Sequence, residues 1–344
     1  MSGLPSHAGP GPRNLITDVA GLKVGQADIP RVRTGVTVIL PDARAVCAVD
    51  VRGGAPGTRE TDALAPENLV DSVDAVVLSG GSVYGLAAAD GVTAWLGARG
   101  RGYGLSGDPA APPSPVIPAA ILFDLANDGD KIWGEDPPYR DLGRAAVAAA
   151  GEGFALGTAG AGYGAMAGSL KGGIGSASVV ATDGITVGAI VAVNSFGSVV
   201  APGGRTFWAS PYEIGAEYGG LGSAGLSASP EDWGLAKAPG SLRNTTIGCV
   251  ATDVALTPAQ ARRVAIMAQD GLARAIRPIH APFDGDVVFA LSTARRPLPE
   301  AADLALARLG SLAADCLARA VARAIFEATP WPGADVACWR SWSA

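Results

Sequence analysis

Glycine is the feature that most restricts the architecture of this chain: 48 of its 344 residues are Gly, about twice the usual share. Spread through polar sequence, that much glycine gives a flexible coil. Here 48% of the residues are hydrophobic and only 17% are charged, so a sizeable core can form and the chain is not disordered. Glycine and alanine on top of such a core point to layers packed at close range and joined by tight turns. The formal charge is −6, with no Lys/Arg-rich block. Nucleic acid and anionic membranes are therefore not expected partners, because both need a basic surface. Residues 1–14 lack the apolar segment of a signal peptide, and no run reaches the roughly 18 apolar residues of a membrane span. The expectation is a cytoplasmic protein.

Short apolar runs at 36–40, 45–51, 75–78, 116–125, 185–194, 247–252 and 287–291 read as strands. Helical spacing covers 83 to about 96, 141–150, a stretch opened by Thr257-Pro258, and about 301–327. In the third of these, Val264, Met267 and Leu272 form the inward face. Residues 1–14 read as a mobile tail, and 15–344 as one layered α/β domain. Between 201 and 243 periodicity fades into Gly, Ala, Ser and Pro with scattered aromatics, the signature of an irregular surface connector.

Familiar chemistries fail one by one. A Ser-His or Cys-His site needs a histidine, yet the chain has two, and His7 lies in the tail. His280, in Pro-Ile-His-Ala-Pro, reads as a structural hydrogen-bonding group. Cys47, Cys249, Cys316 and Cys338 stand far apart, form no C-x-x-C pair, and read as buried small apolar residues. No metal site and no cofactor are expected. Gly160-Ala161-Gly162-Tyr163-Gly164 lacks the spacing of a dinucleotide loop, and Lys171 is not preceded by glycine as in a phosphate loop.

Asn244-Thr245-Thr246 lies where the connector meets a strand. It can be a polar turn, and it fits the glycosylation sequon. It also permits a chemistry that dispenses with histidine. A threonine hydroxyl can attack the carbonyl that precedes it, turning the amide into an ester that water cleaves. The α-amine then released has a reference pKa of about 7.7–8.0, which suits a base near neutral pH.

Several motifs occur together and in order: Arg52-Gly53-Gly54-Ala55-Pro56-Gly57-Thr58-Arg59-Glu60-Thr61-Asp62, Leu78-Ser79-Gly80-Gly81-Ser82-Val83-Tyr84-Gly85-Leu86, Lys171-Gly172-Gly173-Ile174-Gly175, Val193-Asn194, Asn244-Thr245-Thr246 and Phe283-Asp284-Gly285-Asp286. Over about residues 15–330 the chain resembles the DmpA-type aminopeptidases, a group that includes β-peptidyl aminopeptidases and nylon-oligomer hydrolases. The resemblance implies a four-layer αββα sandwich, cut between Asn244 and Thr245 into chains 1–244 and 245–344 that stay associated. It implies Thr245 as nucleophile and base, and Asn194 as a donor to the oxyanion. Lys171 becomes a second cation near the amine, and Asp284 and Asp286 orient the nucleophile. Gly80, Gly81, Phe123 and Tyr163 are candidates to line the substrate pocket. It further implies a homo-oligomer, a tetramer or larger, of two-chain units acting on small peptides or oligoamides.

Blander roles exist for each: Asn194 can simply end a strand, Lys171 can be a solvated loop charge, and Asp284-Gly285-Asp286 can be an ordinary turn. Two departures shape the expected activity. Thr replaces the Ser of the aminopeptidase branch. Ile121-Leu122-Phe123-Asp124 stands where that branch has an acidic and Tyr-bearing segment, which points away from strict dependence on a substrate ammonium. The expectation is a small-amide or oligoamide hydrolase. The alternatives are an acyltransferase of the ornithine acetyltransferase type and a scaffold that never matures.

Overall fold

In Thr34–Pro41, Val36 and Val38 enter one apolar cluster while Ile39 enters another, so this strand is covered on both faces. That double burial recurs across the molecule and makes it layered. The computed structural model describes residues 7–104, 108, 110–224, 226–238 and 244–342. Its main elements are β1 (Leu22–Ile29), β2 (Thr34–Pro41), β3 (Ala45–Val51), β4 (Val76–Ser79), α1 (Ala88–Gly97), β5 (Ala119–Ile121) and α2 (Tyr139–Ala148). They continue with β6 (Gly173–Val180), β7 (Thr186–Asn194), β8 (Thr245–Val254), α3 (Pro258–Ala275), β9 (Val287–Arg296) and α4 (Ala302–Phe326).

One sheet runs β1-β2-β4-β5 and ends on the short strand 58–59; the other runs β6-β7-β8-β9-β3 and ends on 72–73. Between the sheets lies a core built from Ile39, Leu78 and Ala120 on one side and Ile190, Ile247 and Phe289 on the other. Outside the first sheet, α1 and α2 cover Val36, Val38 and Val77. Outside the second, α3 and α4 cover Val191, Val250 and Val288. The result is the expected four-layer αββα sandwich. Helix α3 carries the chain between the parallel neighbours β8 and β9. It opens on a capping box in which Gln260 N donates to Thr257 Oγ1 and Thr257 N to Gln260 Oε1. Val264 and Leu272 are buried on its inner face, and Met267 is half-buried.

Most expected strands and helices are present, with shifts of a few residues at their ends. The run 116–125 is strand only at Ala119–Ile121, and the helix expected from 83 begins as a tighter 3₁₀ segment, Ser82–Ala87. Strands β1 and β6 were not expected. Strand β6 reads Gly-Ile-Gly-Ser-Ala-Ser-Val-Val, poor strand composition that an adjacent helix explains. A Cβ on Gly175 would collide with the Ala320 carbonyl of α4, so only glycine lets that helix lie directly on the sheet.

Of the segment read as a mobile tail, residues 1–6 lie outside the described residues. The remainder departs from that reading. Gly9 and Val180 exchange backbone hydrogen bonds at 3.1 and 2.8 Å, Gly11 N donates to Ser178 Oγ, and Arg319 of α4 donates to Asn14 Oδ1. The connector holds one 3₁₀ turn, Ser210–Tyr212, as its only helical or strand element among the described residues. All four cysteines are buried and unpaired. No helix among the described residues is long and apolar enough to cross a membrane.

Candidate active site

Strand alternation decides where the candidate nucleophile points. In β8, Ile247, Cys249 and Ala251 enter the core between the sheets, so Thr245, two residues before Ile247, shares their face. In β7, Ile190 and Ala192 do the same, which puts Asn194 on that face as well. The antiparallel register pairs Asn194 directly with Thr245. Both are buried, at 2% and 4% exposure.

The Thr245 hydroxyl donates to the Asn244 carbonyl oxygen, the atom of the very peptide it would have to attack. That oxygen also accepts from Gly285 N at 3.3 Å. Asn244 is bridged in parallel to Asp284, which extends the β8–β9 pairing backwards past the candidate scissile bond. The bond thus sits between two register contacts, Asn244 with Asp284 and Thr245 with Asn194.

The acidic turn is not an ordinary surface turn, since Asp284 and Asp286 are both fully buried. Asp286 accepts from Thr246 N at 2.7 Å, and from His280 through its backbone N at 3.1 Å and its ring Nδ1 at 2.9 Å. His280 is therefore a hydrogen-bonding group, one step from the strand that carries Thr245. Asp284 accepts from Ala281 N at 3.1 Å through one oxygen, and the other has no partner among the described residues. Burial first, and the Asp286 charge second, push its carboxyl up to about 7. The Arg52-Gly53-Gly54-Ala55 motif clamps this turn: Arg52 N donates to Asp286 O and Ala55 N to Asp284 O. A Cβ on Gly53 would strike the backbone at Asp284 and Asp286.

Lys171 is not a solvated loop charge. It is fully buried, and its amine donates to the carbonyls of Gly172, Ala165 and Gly162 at 2.8, 3.0 and 3.4 Å, beside the Trp331 ring. Burial lowers that amine to about 7, against the smaller upward pull of Cys338 and Asp124. Its hydrogen bonds go to these carbonyls, not to the Thr245 hydroxyl. A second lysine, half-buried, has no motif in the sequence to mark it. Lys237, in the connector, donates to Asn194 O at 3.2 Å and reaches Asn194 Oδ1 at 3.5 Å. Burial takes it also to about 7, while Asp284 pulls the other way.

A cavity of about 270 Å³ opens beside Asn194, lined by Phe123, Asp124, Asn127, Met166, Gly168 and Lys237 among others. Phe123, a candidate for the substrate pocket, is among its lining residues. Gly80, Gly81 and Tyr163 are not among its lining residues. Gly81 N donates to Asp124 Oδ1 at 2.7 Å, so the glycine pair stands behind that carboxylate, and Tyr163 O accepts from Trp331 Nε1. Asp124, in the segment 121–124 read as lacking an acidic anchor, is among the residues lining the cavity, while its two carboxylate oxygens accept from Thr34 Oγ1 and Gly81 N. Burial raises it to about 6 despite hydrogen bonds from Thr34 and Gly81.

Residues 14–338 match Peptidase family S58. The chain is 45% identical over 345 residues to a protein of Mycobacterium tuberculosis (strain ATCC 25618 / H37Rv) described as an uncharacterized aminopeptidase, covering 93% of this chain and 96% of that one. It is 29% identical over 301 residues to the 6-aminohexanoate-oligomer endohydrolase of Kocuria sp. (strain KY2), covering 84% and 78%. Among solved structures it superposes on a Burkholderia sp. beta-aminopeptidase with a TM-score of 0.68 at 25% identity, covering 94% and 90%. The L-aminopeptidase D-Ala-esterase/amidase of Ochrobactrum anthropi, described as a variant of the Ntn-hydrolase fold, gives a TM-score of 0.66 at 24% identity, covering 95% and 89%.

Proposed function

The chain belongs to peptidase family S58 and is an amide-bond hydrolase; from that premise we propose that it cuts itself between Asn244 and Thr245 and then works through the N-terminal Thr245. The acyltransferase alternative has no support among these relatives, which are named as peptidases and hydrolases. One observation carries the proposal: the Thr245 hydroxyl rests on the carbonyl of the preceding residue.

In the first step Thr245 Oγ adds to the Asn244 carbonyl carbon. The C–N bond breaks, the nitrogen leaves as an amine, and an ester remains. Water hydrolyses the ester, giving a carboxylate on Asn244 and a free hydroxyl and amine on Thr245. The Gly285 N–H at 3.3 Å from the carbonyl oxygen supports the negative charge that oxygen gains.

In turnover the new amine takes the hydroxyl proton as Oγ attacks a substrate amide, then passes it to the departing amine; water removes the acyl group by the same route. Asn194, across from Thr245, donates to the oxyanion. Asp286 fixes Thr246 N, and with it the start of β8. Asp284, bridged through its backbone to Asn244, holds the strand end. Lys171 contributes a buried cation behind the site.

Asp124, among the residues lining the cavity, is an acidic side chain that favours substrates with a cationic amino end, as in small peptides or ω-amino-acid oligomers. The reading includes the expected cytoplasmic homo-oligomer of two-chain units, which light scattering checks. Its direct test is Thr245→Ala. That variant is expected to run as one band on a denaturing gel and to hydrolyse no amino-acid p-nitroanilide. Hydrolysis by Thr245→Ala would place the nucleophile elsewhere.

A further inference from the structure

The connector upstream of the candidate cut carries a half-buried lysine, Lys237, whose backbone is held on both sides. Lys237 N donates to Phe196 O at 2.9 Å, and Leu235 O accepts from Ser169 N at 2.8 Å. Trp233 packs edge-on against Phe196, with ring centres 5.9 Å apart, and Phe196 packs against Phe283, next to Asp284, at 4.9 Å. A segment rich in Gly, Pro and Ser is thus pinned from both sides just where its lysine turns inward.

The Lys237 ammonium bridges the backbone oxygen of Asn194 at 3.2 Å and its side-chain oxygen at 3.5 Å. Asn194 Oδ1 also accepts from Met166 N at 2.9 Å, while Nδ2 donates to Phe123 O at 3.0 Å. A primary amide has an acceptor end and a donor end of nearly equal shape, and its hydrogen bonds alone decide which way it points. Two donors on Oδ1 and an acceptor on Nδ2 leave a single orientation. An ammonium at the oxygen end also draws electron density from the amide, so its N–H groups become better donors as negative charge develops nearby.

We propose that Lys237 is a positioning residue of this site: its ammonium fixes and polarises the Asn194 amide, so that Nδ2 meets the oxyanion of the reacting carbonyl. The inference rests on the assignment of Asn194 under the proposed function. It also assigns the connector a lasting role. Lys237 precedes the candidate scissile bond by seven residues, so the chain through Lys237 stays in the active site after the cut. Burial that lowers the amine to about 7 disfavours keeping the charge here, and the nearby Asp284 offsets part of that cost.

The test compares steady-state kinetics on an amino-acid p-nitroanilide for wild type, Lys237→Met, Lys237→Arg, Asn194→Ala and the Lys237→Met/Asn194→Ala double variant. Each protein is first checked by circular dichroism and a denaturing gel. Lys237→Met is expected to lower kcat about 10- to 100-fold with KM within roughly twofold, and Lys237→Arg to recover most of the loss. On the Asn194→Ala background the lysine change should cost less than about twofold more, because its partner is already gone. An unchanged kcat, a rise in KM alone, or the full loss repeated without Asn194 overturns the proposal.

Should Lys237→Met not fold, Lys237→Gln carries the comparison: it keeps a donor without the charge and is expected to turn over more slowly than Lys237→Arg, whereas wild-type kcat in Lys237→Gln contradicts the role. A folded but uncut Lys237→Met beside a normally cut Lys237→Arg supports the same role in maturation; equal failure of both counts against it. Thr245→Ala separates the two levels of argument. If it is inactive while Lys237→Met is normal, only this inference falls.

Discussion

Thr245 and Asn194 face each other across two antiparallel strands, the first residue of one paired with the last of the other. A candidate nucleophile and a candidate oxyanion donor, 51 positions apart in the chain, are thereby brought together by backbone register alone.

Removing the donor side of that pair should show in turnover. Asn194→Ala is expected to lower kcat about 100-fold or more, with little change in KM, because the interaction strengthens only as charge develops. Steady-state kinetics on an amino-acid p-nitroanilide measures it, and an unchanged kcat removes Asn194 from the oxyanion role.

Asp286 joins His280 to the backbone that carries the nucleophile. Asp286→Asn keeps the shape but replaces one acceptor oxygen with a donor, facing Thr246 N at 2.7 Å or His280 at 2.9 Å. Both self-cleavage and turnover are expected to slow, by roughly tenfold or more, since small misplacements of a nucleophile are costly. A time course of band conversion on a gel, together with kcat/KM, checks this. His280→Ala, which leaves the Asp286 bond to Thr246 N in place, should cost less.

The pH dependence follows from the base. A free Thr245 amine works when deprotonated, so kcat/KM should rise with pH through an acid limb and then level. The reference value is about 7.7–8.0, and a neighbouring cation shifts the limb lower by favouring the neutral amine. A profile flat between pH 5 and 9 would contradict an amine base.

Asp284 gives a prediction about stability. In the folded chain its proton is held to about pH 7, against an ordinary value of 3.8. A carboxyl raised in this way favours the folded state below its ordinary pKa, and that contribution is lost as pH rises through about 7. Asp284→Asn cannot ionise and avoids the loss. In a Thr245→Ala background, which keeps the chain uncut, it should stabilise the protein at pH 8 by on the order of 2 kcal/mol and do little at pH 4. Thermal melts at the two pH values measure it; equal shifts at both contradict the buried ionisation.

Much of the sandwich was legible because its strands follow simple rules. Ala45–Val51 and the helix opened by Thr257-Pro258 carry apolar runs, caps and turn residues that need no tertiary knowledge. Strand β6 did not, because its glycines make sense only once α4 is laid upon it. At the site, Thr245, Asn194, Asp284 and Asp286 were singled out through ordered motifs, and the sheet register draws them together.

Lys171 was also singled out, but a lone lysine among glycines gives no hint that three carbonyls and an indole will enclose it. Lys237 left even less trace, since the connector around it has no periodicity to say which side chains turn inward. Asp124 carries no sequence mark of its burial, which comes from its packing on Gly80 and its hydrogen bond from Gly81 N. The Gly285 N–H on the Asn244 carbonyl is a backbone group and has no side-chain signature at all.

Intact mass spectrometry of the active protein, combined with N-terminal sequencing, addresses the claim that a broken peptide bond supplies the base. The account predicts that the 34.3 kDa chain is recovered as two pieces of roughly 24 and 10 kDa by residue count, the smaller beginning at Thr245. Full amide hydrolysis by a single chain of 34.3 kDa, with residues 244 and 245 still joined, would contradict it.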